Sequence, residues 1–390
     1  MSRGKTALFI RGHIGLMGRI EKACKGVDNI IWVHSASYGE FEEVRPVVTA
    51  IRKAHPEYRI LVTFFSPSGY EHLKNDEAAD FVFYLPIATR RNAVRFLNAI
   101  RPVRVIISIS DYWLPYLHEL RKRHIRTYLT SARFEESMFY FKPLGRPYLD
   151  AFKTCFTKII VRDVRSMEVL EKYGVTNAVL SGDPRIDRVL ALAATDWADD
   201  RIDRWSKGGK AFVGGSVLPD MDSTVMAALV NSHPEDRFLI IPHETDDESI
   251  AVLRRLIKGR SVLYTDDDID ANVMIVNTVG MLSKLYRYGF AAYVGAGFDG
   301  APHSIVEPAA YGIPVAYGPQ FGSHYHCQYM IDCGGGHSVK DAEELILWYD
   351  RLKSDSAFLE SSGKAARQYC TDRSGVADSV MRIVTGGDGE

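Results

Sequence analysis

The sequence is short of cysteine, of net charge and of long apolar runs, and each shortage narrows what the chain can be. Its five cysteines, Cys24, Cys155, Cys327, Cys333 and Cys370, are scattered, odd in number and without a CxxC pair. That usage fits a reducing compartment and speaks against both a disulfide framework and a thiolate zinc site. A net charge of −1 gives no global drive toward nucleic acid and leaves only local patches. No apolar run is long enough to cross a bilayer, and the opening MSRGKTALFIRGH lacks the layout of a signal peptide. HExxH, an EF-hand loop and a tight carboxylate cluster are missing, so neither a tightly held metal nor another cofactor is expected. The Rossmann GxGxxG and the Walker loop are missing too, as are internal repeats and low-complexity segments.

What the chain does have is alternation. At 390 residues it exceeds one ordinary core, which predicts two domains, 1–190 and 191–390, the last helix passing back over the first. Short β-branched runs (Ile31–Val33, Ile60–Val62, Val105–Ile107, Ile159–Val161) are separated by amphipathic stretches, and the pattern restarts after residue 208. This predicts α/β architecture: two Rossmann-like domains with parallel sheets facing across a cleft. The reading makes 195–203 a linker, Gly214-Gly215-Ser216 a turn closing a strand over 210–213, 281–288 a helix, and 354–382 one long helical span.

In a parallel sheet, functional groups lie beyond the carboxyl ends of the strands. Three turns qualify in the first half. The first carries Ser37, Gly39 and Glu40, the second Ser68, the third Asp111. Glu40 opens a helix after a glycine, where it suits either catalysis or the helix dipole, and the small residues around it leave room for a ligand. Asp111 suits either a ligand contact or a helix cap. Arg133 is a further candidate on the acceptor side. In the second half, Gly215 and Ser216, then Pro242, His243 and Glu244, then Thr278, Gly280 and Met281, and finally Gly300, Ser304 and Glu307 gather at strand ends. Glycines and helix starts of that kind suit a phosphate and a ribose. Arg90, Arg91 and Arg95, and the run 121–124, read as a solvated face or as cations for an anionic lipid surface. The aromatic stretch 137–148 reads as a greasy lip or as packing. One carboxylate and one nucleotide site suggest transfer of a sugar from a nucleoside phosphate, with the carboxylate as general base.

Six blocks sharpen this: IWVHSASYGEFE (31–42), TFFSPSGYE (63–71), SGDPRIDRV (181–189), PHETDDE (242–248), NTVGMLSKLYRYG (277–289) and GAPHSIVEPAAYGIPVAYGP (300–319). In these, and over about residues 31–350, the chain resembles the 3-deoxy-D-manno-octulosonic acid (Kdo) transferases of lipid A assembly. The resemblance implies the two-lobed GT-B fold, CMP-Kdo as donor, an acylated and phosphorylated glucosamine disaccharide as acceptor, and inversion at the transferred sugar. It implies Glu40 as the base, Ser216, His243, Gly280 and Glu307 in the blocks that hold CMP, and Glu307 on the ribose. Relatives usually begin with a membrane-anchoring helix, whereas this chain has only about 30 residues ahead of the first block. That gives either a shortened form or peripheral docking on the cytoplasmic face of the bacterial inner membrane. The stretch ISISDYWLP, with Asp111 where relatives carry glutamate, departs from the pattern, as do Met281 and Ser304. Another GT-B transferase or epimerase, and a non-catalytic binding relative, remain the other readings.

Overall fold

In the computed structural model, which describes residues 3–322 and 324–386, the chain divides into two compact units. One comprises residues up to Asp187 together with those from Gly375; the other runs from Arg188 to Ser374.

The first unit is built on seven parallel strands: β1 Ile30–Ser35, β2 Arg59–Phe64, β3 Phe81–Tyr84, β4 Arg104–Ser108, β5 Arg126–Ala132, β6 Lys158–Val161 and β7 Ala178–Leu180. Their order is β3-β2-β1-β4-β5-β6-β7, so the winding reverses between β1 and β4. The inner strands β1, β2, β4, β5 and β6 are buried on both faces, which is why they read as near-continuous apolar runs, while the edge strands β3 and β7 are only partly covered. Trp32, Leu61, Val105 and Ile107 enter one core, while Ile31, Val33, Val62 and Ile106 enter the other.

The helix Val376–Thr385 belongs to that second core. Val376, Ala377, Val380 and Val384 pack with Phe41, Val44, Val47, Val48 and Ile51 of the helix Tyr38–Ala54. Its N-terminus is held by Asp187, which accepts the N–H groups of Gly375 and Ala377 at 2.6 Å each. At its other end, Arg104 donates to the Thr385 carbonyl (3.0 Å) and Arg126 to that of Gly386 (3.1 Å). An acid at the start and cations at the end complement the helix dipole.

The second unit repeats the plan with β8 Ala211–Val217, β9 Phe238–Pro242, β10 Ser261–Leu263, β11 Val273–Ile275, β12 Gly289–Val294, β13 Val315–Tyr317 and β14 Gly336–Ser338. The order is β10-β11-β9-β8-β12-β13-β14, all parallel, and the reversal falls between β8 and β12.

Several local expectations need correction. Gly214, Gly215 and Ser216 are part of β8, not a turn after it, because β12 and β9 continue to pair with them from either side. The pairing shifts at Ser216, whose φ of 53° makes a bulge. The segment read as a linker contains the helix Asp200–Ser206, capped by Asp199 and anchored by buried Trp205, whose Nε1–H reaches the Ala271 carbonyl at 2.8 Å. The stretch 281–288 is one α-turn, Leu282–Leu285, followed by the 3₁₀ turn Tyr286–Tyr288. The final span is two helices, Ser356–Thr371 and Val376–Thr385, parted at Gly375, whose φ is 83°. Helices at Arg3–His13 and Leu16–Ala23 precede β1.

Candidate active site

At the reversal between β1 and β4, the carboxyl ends of the two strands meet the start of the helix Tyr38–Ala54. Ser37 caps that helix, its Oγ accepting the Glu40 N–H at 3.4 Å. The Glu40 carboxylate turns back over the helix end. Oε2 accepts the Ala36 N–H (2.7 Å) and Oε1 accepts the Ser110 hydroxyl (3.0 Å). Ser108, at the end of β4, donates to the Glu40 carbonyl at 2.9 Å, so both backbone and side chain are fixed by the same strand end. Each carboxylate oxygen keeps a lone pair for another partner. Burial pushes the Glu40 carboxyl above its ordinary value; the bonds from Ala36 and Ser110 work against that, and the charge of Asp111 adds to it. One turn on, Glu43 is also pushed up by burial, although Arg185 and Arg162 lie near it. Gly39 lies exposed between Ser37 and Glu40, where the space around it is open.

Asp111 does not cap the following helix, Leu114–Lys122, whose N-cap is Trp113. It turns inward, and its Oδ2 lies 3.4 Å from Nε2 of His34, a buried residue of β1. Ile109 and Asp111 both have positive φ, 60° and 71°. For a β-branched residue that conformation costs on the order of 1–3 kcal/mol. The two reversals send Ser110 to Glu40 and Asp111 to His34, and the Tyr112 hydroxyl holds the turn by donating to the Ile109 carbonyl at 2.6 Å.

Beside this turn opens a cavity of about 760 Å³. Ser110, Asp111, Arg133 and Arg162 supply its polar wall, and Trp113, Met138, Phe139, Tyr140 and Tyr148 an apolar one. The aromatic stretch after Ser137 is thus both lip and packing: Tyr140 also stacks edge-on against Tyr112 and Phe152. Arg133 pairs with Glu135 on the cavity wall. Ser68 lies at the start of the helix Pro67–Leu73, its Oγ 2.9 Å from that of Ser66, and does not line the cavity. Of the basic groups, Arg95 pairs with Glu21 on a solvated face, whereas Arg123 pairs with the buried Glu119.

In the second unit, the candidates collect along the carboxyl edge of β8, β9 and β12. Gly215 is obligatory: a Cβ there would lie 2.1 Å from the Tyr286 hydroxyl. Pro242 ends β9, and the His243 N–H donates to the Val217 carbonyl at 3.0 Å beside the Ser216 bulge. The His243 ring stacks on His303, centroids 4.5 Å apart and planes 13° from parallel, joining β9 to the glycine turn after β12. Desolvation and the neighbouring His243 lower the pKa of His303. Glu244 is exposed, 3.8 Å from His243. Glu307 opens the helix Val306–Ala310 and accepts the Ser283 hydroxyl at 2.7 Å, tying that helix to the loop of Thr278, Gly280 and Met281. In that loop the Thr278 hydroxyl meets the Met281 sulfur at 2.9 Å, and Gly280 adopts a φ of 88°. Gly300 donates to Ala296 within the turn, and the Ser304 carbonyl accepts the Glu307 N–H at 3.4 Å.

Asp222 organises the edge and carries no motif to announce it. Buried at the start of the helix Met221–Ser232, it accepts the Tyr293 hydroxyl (2.6 Å) and the N–H groups of Ala296 (2.7 Å) and Leu218 (3.2 Å). His34, Ser110, Glu43, Arg162 and His303 likewise escape a reading by spacing. Only the register of the strands reveals them.

Two doubly wound parallel sheets of this kind are the GT-B architecture. The chain is similar to Anabaena Alr3699/HepE in complex with UDP (TM-score 0.64, 12% identity, 91% of this chain and 98% of that one). It is also similar to UDP-GlcNAc 2-epimerase from Neisseria meningitidis bound to UDP-GlcNAc (TM-score 0.62, 12% identity, 88% and 98%). At such identity the likeness is one of fold. Residues 11–188 match the family described as 3-deoxy-D-manno-octulosonic-acid transferase (kdotransferase). The 3-deoxy-D-manno-octulosonic acid transferase of Aquifex aeolicus is 25% identical over 345 residues, 85% of this chain and 88% of the relative. That of Haemophilus influenzae is 23% identical over 307 residues, 74% and 70%. Residues 11–188 thus match the Kdo transferase family and the chain as a whole is similar to Kdo transferases, which supports a glycosyltransferase.

Proposed function

We propose that the chain moves Kdo from CMP-Kdo to a lipid IVA-like precursor of lipid A, with inversion, and with Glu40 as general base. The acceptor hydroxyl gives its proton to Glu40 as its oxygen bonds to the anomeric carbon. The bond from that carbon to the phosphate oxygen breaks, and CMP leaves. A base placed this way contributes roughly 10²–10⁴-fold. The observation that carries the reading is Glu40 itself, a partly buried carboxylate of raised basicity at the first unit's strand reversal, one hydroxyl away from a cavity with aromatic and cationic walls.

The rim formed by Ser216, His243, Gly280, Ser304 and Glu307 takes the cytidylate, with Glu307 on the ribose and the turn amides on the phosphate; the step uses no metal or other cofactor. Arg133 and Arg162 suit the acceptor's phosphate, and the aromatic wall suits its acyl chains. No described helix is long and apolar enough to cross a membrane. Peripheral docking is supported by exposed Leu8, Ile10 and Ile14 on the helix Arg3–His13 and just beyond it. That helix connects to the cavity through Phe9, Phe65 and Trp113, whose rings lie 5.5 Å apart at each step.

The test is incubation with CMP-Kdo, generated in place, and lipid IVA, followed by mass analysis of the lipid with and without chelator. Transfer that persists in chelator is expected. No transfer, or binding of UDP in preference to CMP, would refute the proposal.

A further inference from the structure

Beneath the cavity, two buried polar atoms face each other with no hydrogen-bond partner of good geometry: Nε2 of His34 and Oδ2 of Asp111, 3.4 Å apart. His34 is 1% exposed, so water does not compete for its ring. The far side of the ring is held by Thr63, Nδ1 lying 2.9 Å from Oγ1 and 3.1 Å from the carbonyl. Thr63 Oγ1 also accepts from Trp32 Nε1 at 2.8 Å, and its own proton can point at Nδ1, whereas the Thr63 carbonyl can only accept and bonds Nδ1 only when that nitrogen is protonated. Two lone pairs facing each other in a dry site are unfavourable, so a proton must lie between Nε2 and Oδ2.

We propose that Asp111 binds a sugar hydroxyl of the acceptor, and that His34 is its positioning residue, its Nε2–H taking one carboxylate oxygen so that the other faces the cavity. The geometry supports both halves. Asp111 lines the cavity while its Oδ2 is buried, and the positive φ of Ile109 and Asp111 holds the carboxylate inward in a conformation that β-branched Ile109 disfavours. A cap for the next helix would need none of this. The inference rests on the cavity being the acceptor site.

Two measurements test it. Long-range ¹H–¹⁵N spectra of histidine-labelled protein distinguish a protonated ring nitrogen from a bare one. His34, assigned by the signal lost in His34→Gln, is expected to carry its proton on Nε2, in a resonance that moves in Asp111→Ala. A bare Nε2 overturns the pair whatever the transfer assay reads. In steady-state kinetics, Asp111→Asn and His34→Phe are each expected to raise the acceptor KM about tenfold, the loss of one hydrogen bond to a charged group, with donor KM unchanged. His34→Gln keeps an N–H near the Nε2 position and is expected to recover most of the loss. Equal effects of Phe and Gln at position 34 in folded protein, or an acceptor KM indifferent to Asp111→Asn, overturn the proposal. A protonated Nε2 in protein that transfers nothing supports the pair and refutes the substrate reading instead.

Discussion

At the scale of the residue, Glu40 serves two ends that pull against each other. Its carboxylate closes the start of a helix by accepting the Ala36 N–H, which stabilises, yet burial holds its pKa above the ordinary glutamate value. A carboxyl whose folded pKa lies above its unfolded one binds its proton more tightly in the native state. Its contribution to stability is therefore complete below the unfolded pKa and is lost as pH rises through the folded pKa. At neutral pH the ionised Glu40 costs stability. Glu40→Gln can still accept from Ala36 and donate to Ser110, so its melting temperature is expected to match or exceed the wild type's. Transfer by that variant is expected to fall ~10²–10⁴-fold with CMP affinity unchanged. Mass analysis of the lipid and a thermal scan read both, and full activity in the variant would remove Glu40 from the mechanism. The same raised pKa predicts that the acid limb of kcat/KM falls above the 4.5 of an unperturbed glutamate. A pH–rate profile measured with the folded fraction monitored checks this.

At the scale of the element, the turn after β12 is closely packed. A Cβ on Gly295 would stand 2.3 Å from the carbonyl oxygen of Ser216 on the rim and 2.5 Å from Oδ2 of Asp222, which organises that edge. Gly295→Ala is expected to destabilise by about 1–3 kcal/mol, as overpacking does, and to weaken CMP binding. Denaturant unfolding and calorimetric titration separate the two effects. This turn also shows what could be read from sequence. Strands buried on both faces and helices with one apolar face leave strong periodicities, so the alternation and parallel sheets were legible. Glycine inside a strand looks like a turn to any local reading, which is why Gly214 and Gly215 were misassigned. Their partners, Met226 and Tyr286, occupy the space their side chains would fill and are remote in sequence. Asp222 and His34 were illegible for the same reason. A buried acid or imidazole is defined by the groups that meet it, and those come from other strands. Glu40 was visible because glycine and three small residues surround it in the sequence itself.

At the scale of the whole molecule, apolar surface is left bare near the helix Arg3–His13, with Ile10 58% and Ile14 67% exposed. Changing Leu8 and Ile10 together to Asp removes apolar contact and adds negative charge. Binding to anionic vesicles is expected to weaken at least tenfold by sedimentation, with the melting temperature nearly unchanged. A second prediction concerns the return of the last helix. Ending the chain at Ser374 strips the cover from Val44, Val47, Val48 and Ile51 and leaves Arg104 and Arg126 without their carbonyl partners. Each fully buried aliphatic side chain is worth roughly 1.5–3 kcal/mol, so the shortened protein is expected to aggregate or to bind a hydrophobic dye strongly, even with its second unit folded.

That returning helix also sets an order of events on the ribosome. The first unit emerges early but lacks its closing piece until residues 188–374 have been translated. At 5–20 residues per second the interval is roughly 10–40 s. For that time the helix bearing Glu40 shows an oily flank to solvent, a natural landing place for a chaperone. That flank is covered only once the segment from Gly375 has left the tunnel.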